Sequence, residues 1–222
     1  MARPVEHELR GARERLVDEL RTKGIRDLAV LRAVEMTPRH FFVPSGLRHR
    51  AYEDAPLPIG NGQTISQASI HAHYLELLEL KGKERVLEVG TGTGYQTALL
   101  SRLAEQVFSI ERISALLKQA QEILQRLEIR NVSLLLGDGS IGWREYAPYD
   151  AILVSAGAPS VPQPLLDQLA DSGRLLIPVG DRTEQQQLML YTRHGAVTSG
   201  RELAPVRFVP LIGSHGWGEE PG

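Results

Sequence analysis

The 222-residue sequence contains no cysteine, and its charges nearly cancel. Without cysteine there can be no disulfide, no thiol catalysis and no cysteine-based metal site. Lysine and arginine number 25 and aspartate and glutamate 27, a formal net charge of −2, so no global charge draws the chain to nucleic acid or an anionic membrane. The basic run Arg48-His49-Arg50 is a local exception, which we interpret as solvated surface.

Long apolar runs and metal motifs are also missing. The start of the chain, MARPVEHELRGARERLVDEL, is charged throughout, unlike a signal peptide, and no run is long enough to span a bilayer. We therefore expect a cytoplasmic protein. We also expect it to be a monomer. The HExxH pattern is absent, and His71 and His73 stand two apart on a predicted helix, where they point to different sides. No metal site is expected, and His40 is interpreted as structural.

Apolar spacing divides the chain into a helical first part and an alternating α/β second part. Helical spacing in the first part is marked, around a break at Gly24, by Leu16, Leu20, Leu28, Leu31 and Val34, and later by Ile70, Tyr74, Leu77 and Leu78. Short apolar runs separated by helical segments then begin at Arg85, Gln106, Val132, Asp150 and Arg174. Such runs predict buried parallel strands in a doubly wound α/β domain.

Two more strands are predicted near the end of the chain, starting at Gln187 and Val206. They lie too close together for a helical crossover and indicate an antiparallel pair at the sheet edge. We therefore expect a mostly parallel, seven-stranded Rossmann-like sheet. Residues 1–84 form a helical extension, and residues 85–222 form the α/β core.

Pro58–Gln67, with the sequence PIGNGQTISQ, carries no charged side chain. Gly60 and Gly62 favour tight backbone with positive φ, and Thr64 and Ser66 supply hydroxyls. We interpret this segment, called the lip below, as a shaped and uncharged border of a binding site.

A glycine-rich loop follows the first predicted strand of the core. Gly90, Gly92 and Gly94 lie between that strand and a helix predicted from Tyr95 to Leu103. Glycine there lets the backbone turn sharply and approach a ligand closely. The third glycine comes one residue too early for the dinucleotide pattern GxGxxG.

Acidic residues at three successive strand ends narrow the choice of ligand. Glu88 would repel a pyrophosphate and suits a cation, while Glu111 can accept both ribose hydroxyls. Asp138, between two glycines, is placed to reach an adenine. The alternatives are a solvated strand end for Glu111 and a turn former for Asp138. A ligand with an adenosine end, a positive centre and no phosphate is expected, so S-adenosylmethionine fits and NAD fits poorly.

Further motifs carry a resemblance that covers nearly the whole chain. They are PRHFFVP from Pro38 to Pro44, YEDAPLPIGNGQTISQ, VLEVGTGTGYQTALL, GDGSIGW, APYDAILVSAGAP, GRLLIPVG and RFVPLIG. With these motifs the sequence resembles the protein-L-isoaspartate (D-aspartate) O-methyltransferases, most specifically through PLPIGNGQTIS joined to LEVGTGTG. Ala68, His71 and Asp171-Ser172-Gly173 depart from the residues usual in that family.

The resemblance implies methyl transfer from S-adenosylmethionine to the α-carboxylate of L-isoaspartyl residues in damaged proteins and peptides, which initiates their repair. The product is S-adenosylhomocysteine, no metal takes part, and Ser66 is the active-site residue. Cofactor contacts are expected at Thr64, Ile65, His71, Glu88, Gly90, Thr91, Gly92, Gly94, Glu111, Arg112, Asp138 and Gly139. Substrate contacts are expected at Ile59, Gly60, Ser66, Val209, Pro210 and Leu211, so the lip of the N-terminal part borders the cofactor-binding core.

The chemistry asks mainly for alignment. A substrate carboxylate is already ionised at pH 7 and needs no general base, so neutral donors such as the Ser66 hydroxyl can orient it. Ser66 has an alternative role as the N-cap of the following helix. Backbone near Val209 is expected to pair with the peptide opposite Ser66, because Pro210 suits an edge or bulge; the alternative is an edge strand without a ligand.

Two rival functions share the cofactor features. One is a methyltransferase that acts on RNA or a small molecule, against which the near-neutral charge counts. The other is a non-enzymatic sensor that binds S-adenosylmethionine, which would not require the hydroxyl-bearing lip.

Overall fold

The computed structural model describes residues 3–182 and 184–218, with side chains from residue 9 onward. The first two residues and residues 219–222, which the expected ranges 1–84 and 85–222 include, lie outside the described residues. In the described part of the chain, no helix is both long enough and apolar enough to cross a membrane.

A seven-stranded sheet forms the centre of the molecule. Its strands are β3 (Arg85–Val89), β4 (Gln106–Glu111), β5 (Val132–Leu136), β6 (Tyr149–Val154), β7 (Leu169–Gly180), β8 (Gln186–His194) and β9 (Val197–Val206). Their spatial order is β5-β4-β3-β6-β7-β8-β9. The first five pair in parallel and the last two pair antiparallel, as the sequence predicts. The order reverses between β3 and β6, the kind of crevice where ligands bind in open α/β sheets.

The helices before the sheet and the short hairpin pack against it. They are α1 (Arg3–Thr22), α2 (Leu28–Met36) and α3 (Ala68–Leu78), with the hairpin strands β1 (Leu57–Gly60) and β2 (Gln63–Ile65). Gly24 separates the first two helices at φ +98°, a conformation that L side chains rarely adopt. Buried residues of this part, among them Leu20 and Leu75, share one hydrophobic cluster with Val86 and Leu153 of the sheet. The N-terminal segments are therefore packed onto the core as one body.

Helices α4 (Tyr95–Leu100), α5 (Ser114–Arg126) and α6 (Gln163–Asp167) connect the strands of the sheet. On α5 the buried positions are Leu116, Ala120 and Leu124, spaced four apart, so that a single stripe faces the sheet. The predicted helix over Tyr95 to Leu103 ends three residues early, at Leu100.

The last strand differs from the prediction. It spans Val197–Val206, whereas the predicted strand begins at Val206. The true strand is mostly exposed and polar, because it is the sheet edge, and therefore lacks an apolar run. The apolar residues after it are apolar for another reason: Phe208 stacks on Tyr74 with ring centroids 5.6 Å apart.

Candidate active site

A cavity of about 150 Å³ lies at the carboxyl ends of β3, β4 and β6, where the strand order reverses. Its walls include the lip, the glycine loop, the turn after β4 and the segment after β9, with further residues from α3, α4, α5 and the segments after β5 and β6. The sequence-predicted residues on the wall are Ile59, Thr64, Ile65, Ser66, His71, Gly90, Thr91, Gly92, Glu111, Arg112, Gly139, Val209, Pro210 and Leu211. Segments far apart in the chain thus meet where the sequence predicts a site.

The glycine loop begins with two glycines in the left-handed region, Gly90 at φ +96° and Gly92 at φ +55°. The Gly90 N–H donates to the Ile110 carbonyl at 2.8 Å, which ties the loop to the neighbouring strand. A Cβ on Gly139 would lie 2.3 Å from Val89 Cγ1, so no larger residue fits there. These glycines form a backbone cradle that side chains would fill.

Glu111 lies at the end of β4 and is 6% exposed. Its Oε2 accepts the Gly92 N–H at 2.8 Å and its Oε1 accepts the Ile113 N–H at 2.9 Å. Each carboxylate oxygen has a further lone pair, so the side chain is held rigidly on the wall with capacity for two hydroxyl donors.

Glu88 does not lie on the cavity wall. Its side chain is fully buried beneath the glycine loop, where Oε2 accepts the hydroxyls of Thr97 at 2.5 Å and Ser109 at 2.6 Å. Burial raises the pKa of this carboxyl to about 7 against these two hydrogen bonds, which lower it. Among the described residues, Glu88 Oε1 has no hydrogen-bond partner. A cofactor contact at Glu88 therefore stays a prediction and would act from below the loop.

Asp138 is also turned away from the cavity. Its Oδ1 accepts both the backbone N–H of Ser140 at 2.8 Å and the Ser140 hydroxyl at 2.6 Å. Its Oδ2 accepts the Ser214 N–H at 2.7 Å. These hydrogen bonds hold the Asp138 pKa below its usual range although burial alone would raise it. The carboxylate clasps the C-terminal turn to the sheet, so its expected contact with adenine stays a prediction, as do the contacts of Gly60 and Gly94, which also lie off this wall.

His71 lies on α3 and faces the cavity, whereas His73 is exposed. The His71 Nδ1 pairs with Gln96 Oε1, and within the described chain its buried Nε2 and the Gln96 Nε2 have no partner. Burial, reinforced by the charge of Arg39, lowers the pKa of His71 to about 3, so the ring is neutral at pH 7. The side chains that border this part of the cavity, His71 and Gln96, are therefore both neutral. His40, in turn, pairs its Nδ1 with the Tyr52 hydroxyl at 2.8 Å, away from the cavity wall.

Ser66 lies on the wall just before α3, but it does not cap the helix. The N-cap residue is Gln67, which makes no side-chain cap bond, so the interpretation of Ser66 as the cap is wrong. Asp54 supplies that role from elsewhere in the chain, since its Oδ1 accepts the Ser69 N–H at 2.8 Å. The Ser66 hydroxyl is not needed for the helix, while its carbonyl accepts Arg39 Nη2 at 2.7 Å.

Val209, Pro210 and Leu211 line the same cavity as Ser66. The Gly157 N–H donates to the Val209 carbonyl, and the Gly157 carbonyl accepts the Leu211 N–H, each at 2.8 Å. The segment is not an edge strand, because Pro210 makes only an isolated bridge to Gly157, and the ligand role expected of it stays a prediction. A peptide that pairs here would meet a segment two of whose backbone groups are already bonded to Gly157.

Sequence reasoning missed several wall residues. They are Gln63, Val89, Thr93, Tyr95, Gln96, Ile110, Ile113, Leu116, Ser155, Ala156 and Ile212. Ser155 follows β6 and could have been found by the rule that strand ends meet at one edge. Gln96 gave no such signal, because it lies among apolar helix positions. In the described part of the chain there is no group of three or more metal-binding side chains.

Comparison with known proteins relates this arrangement to one family. The model of the family described as Protein-L-isoaspartate(D-aspartate) O-methyltransferase matches residues 11–216. A Desulfotalea psychrophila protein-L-isoaspartate O-methyltransferase is 50% identical over 207 residues, covering 93% of this chain and 96% of the relative. A Pelobacter propionicus protein of the same name, numbered 2, is 52% identical over 201 residues, covering 90% and 89%.

Solved structures agree. One named protein-L-isoaspartate O-methyltransferase matches with a TM-score of 0.83 at 32% identity, covering 92% of this chain and 67% of that one. A Plasmodium falciparum structure of that description, in complex with S-adenosyl-L-homocysteine, matches with a TM-score of 0.79 at 26% identity, covering 90% and 98%. Because the family model and relatives with 50% and 52% sequence identity each cover most of its length, the chain belongs to the protein-L-isoaspartate(D-aspartate) O-methyltransferase family.

Proposed function

We propose that this protein transfers a methyl group from S-adenosylmethionine to the α-carboxylate of L-isoaspartyl residues in damaged proteins and peptides. One observation carries the proposal: the uncharged lip with Ser66 faces the glycine loop and Glu111 across a single cavity. A nucleoside-binding wall and an uncharged, hydroxyl-bearing wall thus lie within reach of one reaction.

The residues present fit the cofactor. Glu111 is held with lone pairs available for two ribose hydroxyls, and the Gly90 and Gly139 cradle admits close backbone approach. Glu88 Oε1, for which the described ranges offer no hydrogen-bond partner, lies beneath the loop and suits a neighbouring positive charge. S-adenosylmethionine supplies an activated methyl group on a sulfonium; the chain's residues bind and orient it.

The protein's part in the reaction is alignment. The substrate carboxylate is ionised at neutral pH because its ordinary pKa is about 4, so no side chain has to remove a proton. The Ser66 hydroxyl and the backbone around Val209 orient the carboxylate from two walls. Holding reactants in line in this way can supply roughly 7–11 kcal/mol of the barrier.

The finer assignments follow from the same features. We propose a monomer, in which the lip, the glycine loop and Glu111 of a single chain form the site. Nucleic acid is a poor substrate, because the net charge is −2 and no excess of basic residues would hold phosphates. We place the reaction in the cytoplasm, in keeping with the absence of cysteine.

A methyl-transfer assay tests the proposal. The protein is incubated with labelled S-adenosylmethionine and an isoaspartyl peptide, beside the same peptide with a normal aspartyl residue. We expect label on the isoaspartyl peptide only. Label on RNA or a small molecule instead would support the first rival, and cofactor binding without any transfer would support the sensor.

A further inference from the structure

Arg39 is a fully buried cation that contacts the residues of the cavity wall from behind. It lies in a short 3₁₀ turn and is 0% exposed. Its Nη2 donates to the Ser66 carbonyl at 2.7 Å, and its guanidinium carbon lies 4.7 Å from the centre of the Tyr95 ring. Ser66 and Tyr95 both line the cavity, whereas Arg39 does not.

Among the described residues, no carboxylate forms an ion pair with Arg39. Asp54 is the carboxylate whose charge it feels, but the oxygens of Asp54 are engaged by Lys23 Nζ at 2.5 Å and the Ser69 N–H at 2.8 Å. In the same described ranges, Arg39 Nε and Nη1 have no hydrogen-bond partner. An arginine nevertheless stays protonated, so a net positive charge is buried here.

The fold itself does not need this charge. An apolar side chain of similar volume would pack in the same place without the desolvation cost of a buried ion. A neutral amide could donate the hydrogen bond to the Ser66 carbonyl. The Tyr95 ring and the Ser66 carbonyl engage the guanidinium, but no carboxylate pairs with its charge in the described part of the chain, and perturbed charges of this kind cluster at functional sites.

We propose that Arg39 is a positioning residue whose buried charge attracts the substrate carboxylate to the Ser66 wall without touching it. The inference rests on the proposed function, in which an anion binds beside Ser66. A direct ion pair would hold the carboxylate most strongly before transfer, when its charge is greatest, and so oppose its loss. Placed behind a neutral wall, the charge still acts across a medium of low dielectric, but more weakly and without a bond that must break.

The sign of the effect on the cofactor is opposite. The donor is a sulfonium cation, so a positive charge behind the wall does nothing to attract it. Removing the charge should weaken the binding of the peptide and leave that of S-adenosylmethionine unchanged or slightly tighter. A purely structural role would instead affect both ligands or only the stability.

Two variants separate charge from hydrogen bonding. Arg39→Gln keeps a donor for the Ser66 carbonyl but removes the charge, and Arg39→Lys keeps the charge. We expect Arg39→Gln to raise KM for an isoaspartyl peptide about tenfold, with no weaker S-adenosylmethionine binding, and Arg39→Lys to recover most of that loss. Arg102→Gln is the control for loss of an arginine charge elsewhere: Arg102 is exposed and donates to Thr37 Oγ1 and the Met36 carbonyl, away from the cavity wall.

Clear results would overturn the inference. An unchanged KM in Arg39→Gln would do so, as would equal losses in both Arg39 variants, or a fall in kcat alone. If the wild type methylates the isoaspartyl peptide and Arg39→Gln behaves like it, only this inference fails. If the wild type methylates no isoaspartyl peptide, the proposed function fails and this inference with it.

A measurement on the unaltered protein decides the matter should Arg39→Gln not fold. The isoaspartyl peptide is compared as a ligand with its isoasparaginyl counterpart, in which a neutral amide replaces the α-carboxylate. We expect the carboxylate to bind about tenfold or more tightly than the amide. Equal affinities would mean that no charge behind the wall is felt at Ser66, and the inference would be wrong.

Discussion

The titration of Glu88 provides a sharp test of the buried layer beneath the glycine loop. Burial raises the pKa of this carboxyl from 4.5 to about 7, and the side chain is 0% exposed. The rise in pKa from 4.5 to about 7 corresponds to about 3 kcal/mol, because a tenfold change in the equilibrium constant is worth about 1.4 kcal/mol. Glu88→Gln removes the titration while keeping an oxygen that can accept the hydroxyls of Thr97 and Ser109.

The direction of the effect follows from linkage. Folding raises the pKa, so the folded protein holds this proton to higher pH than the unfolded chain does. The contribution of Glu88 to stability is full below pH 4.5 and is lost as pH rises through about 7. The free energy of unfolding of Glu88→Gln, minus that of the wild type, should therefore rise by about 3 kcal/mol between pH 4.5 and 8.

Urea unfolding at several pH values between 4.5 and 8 measures this difference. The pKa of His71 is lowered to about 3, so its contribution to the stability of the fold is lost as pH falls below 6.5, which is the opposite direction. Because both proteins contain His71, its contribution cancels in the difference. Glu35→Gln, which removes an exposed carboxyl on α2, is the control for the loss of one carboxyl group. A constant difference for Glu88→Gln would refute the reasoning, since folding would then leave the pKa of Glu88 unchanged.

Three further variants, the last with a glycine control, test the site and the loop. Ser66→Ala should lower kcat on an isoaspartyl peptide more than S-adenosylmethionine affinity, because the serine lies on the lip; unchanged turnover would remove it from the chemistry. Glu111→Ala should weaken S-adenosylmethionine binding by about 1.5–3 kcal/mol, and calorimetry with an unchanged affinity and an intact fold would exclude Glu111. Gly94→Ala should destabilise the fold by about 2–4 kcal/mol, because Gly94 has φ +85° and its Cβ would lie 3.1 Å from that of Ala120. Gly24→Ala, at φ +98° with no atom within 4 Å, should cost only the backbone strain, about 1 kcal/mol; equal losses in thermal unfolding would refute the packing part.

The sequence by itself determined the parallel strands of the sheet, the glycine loop and the family. The strands that begin at Arg85, Gln106 and Val132 start where the apolar runs start. Buried parallel strands need side chains that are apolar on both faces, so their pattern is local and legible. The uncharged lip and the family motifs are likewise contiguous in the chain, and the structure brings Ser66 and Glu111 to one cavity as predicted.

Only the tertiary structure decided where individual polar side chains point. Asp138 accepts a hydrogen bond from Ser214, 76 positions away. Its carboxylate therefore points away from the cavity, although its position just after a strand predicted a place on the cavity wall. Glu88 is drawn below the loop by Ser109, 21 positions away. Arg39 stands behind Ser66 through a contact across 27 positions. The last strand was missed because an exposed edge needs no apolar run. Such features depend on which distant segments pack together, and local spacing carries no information about those partners.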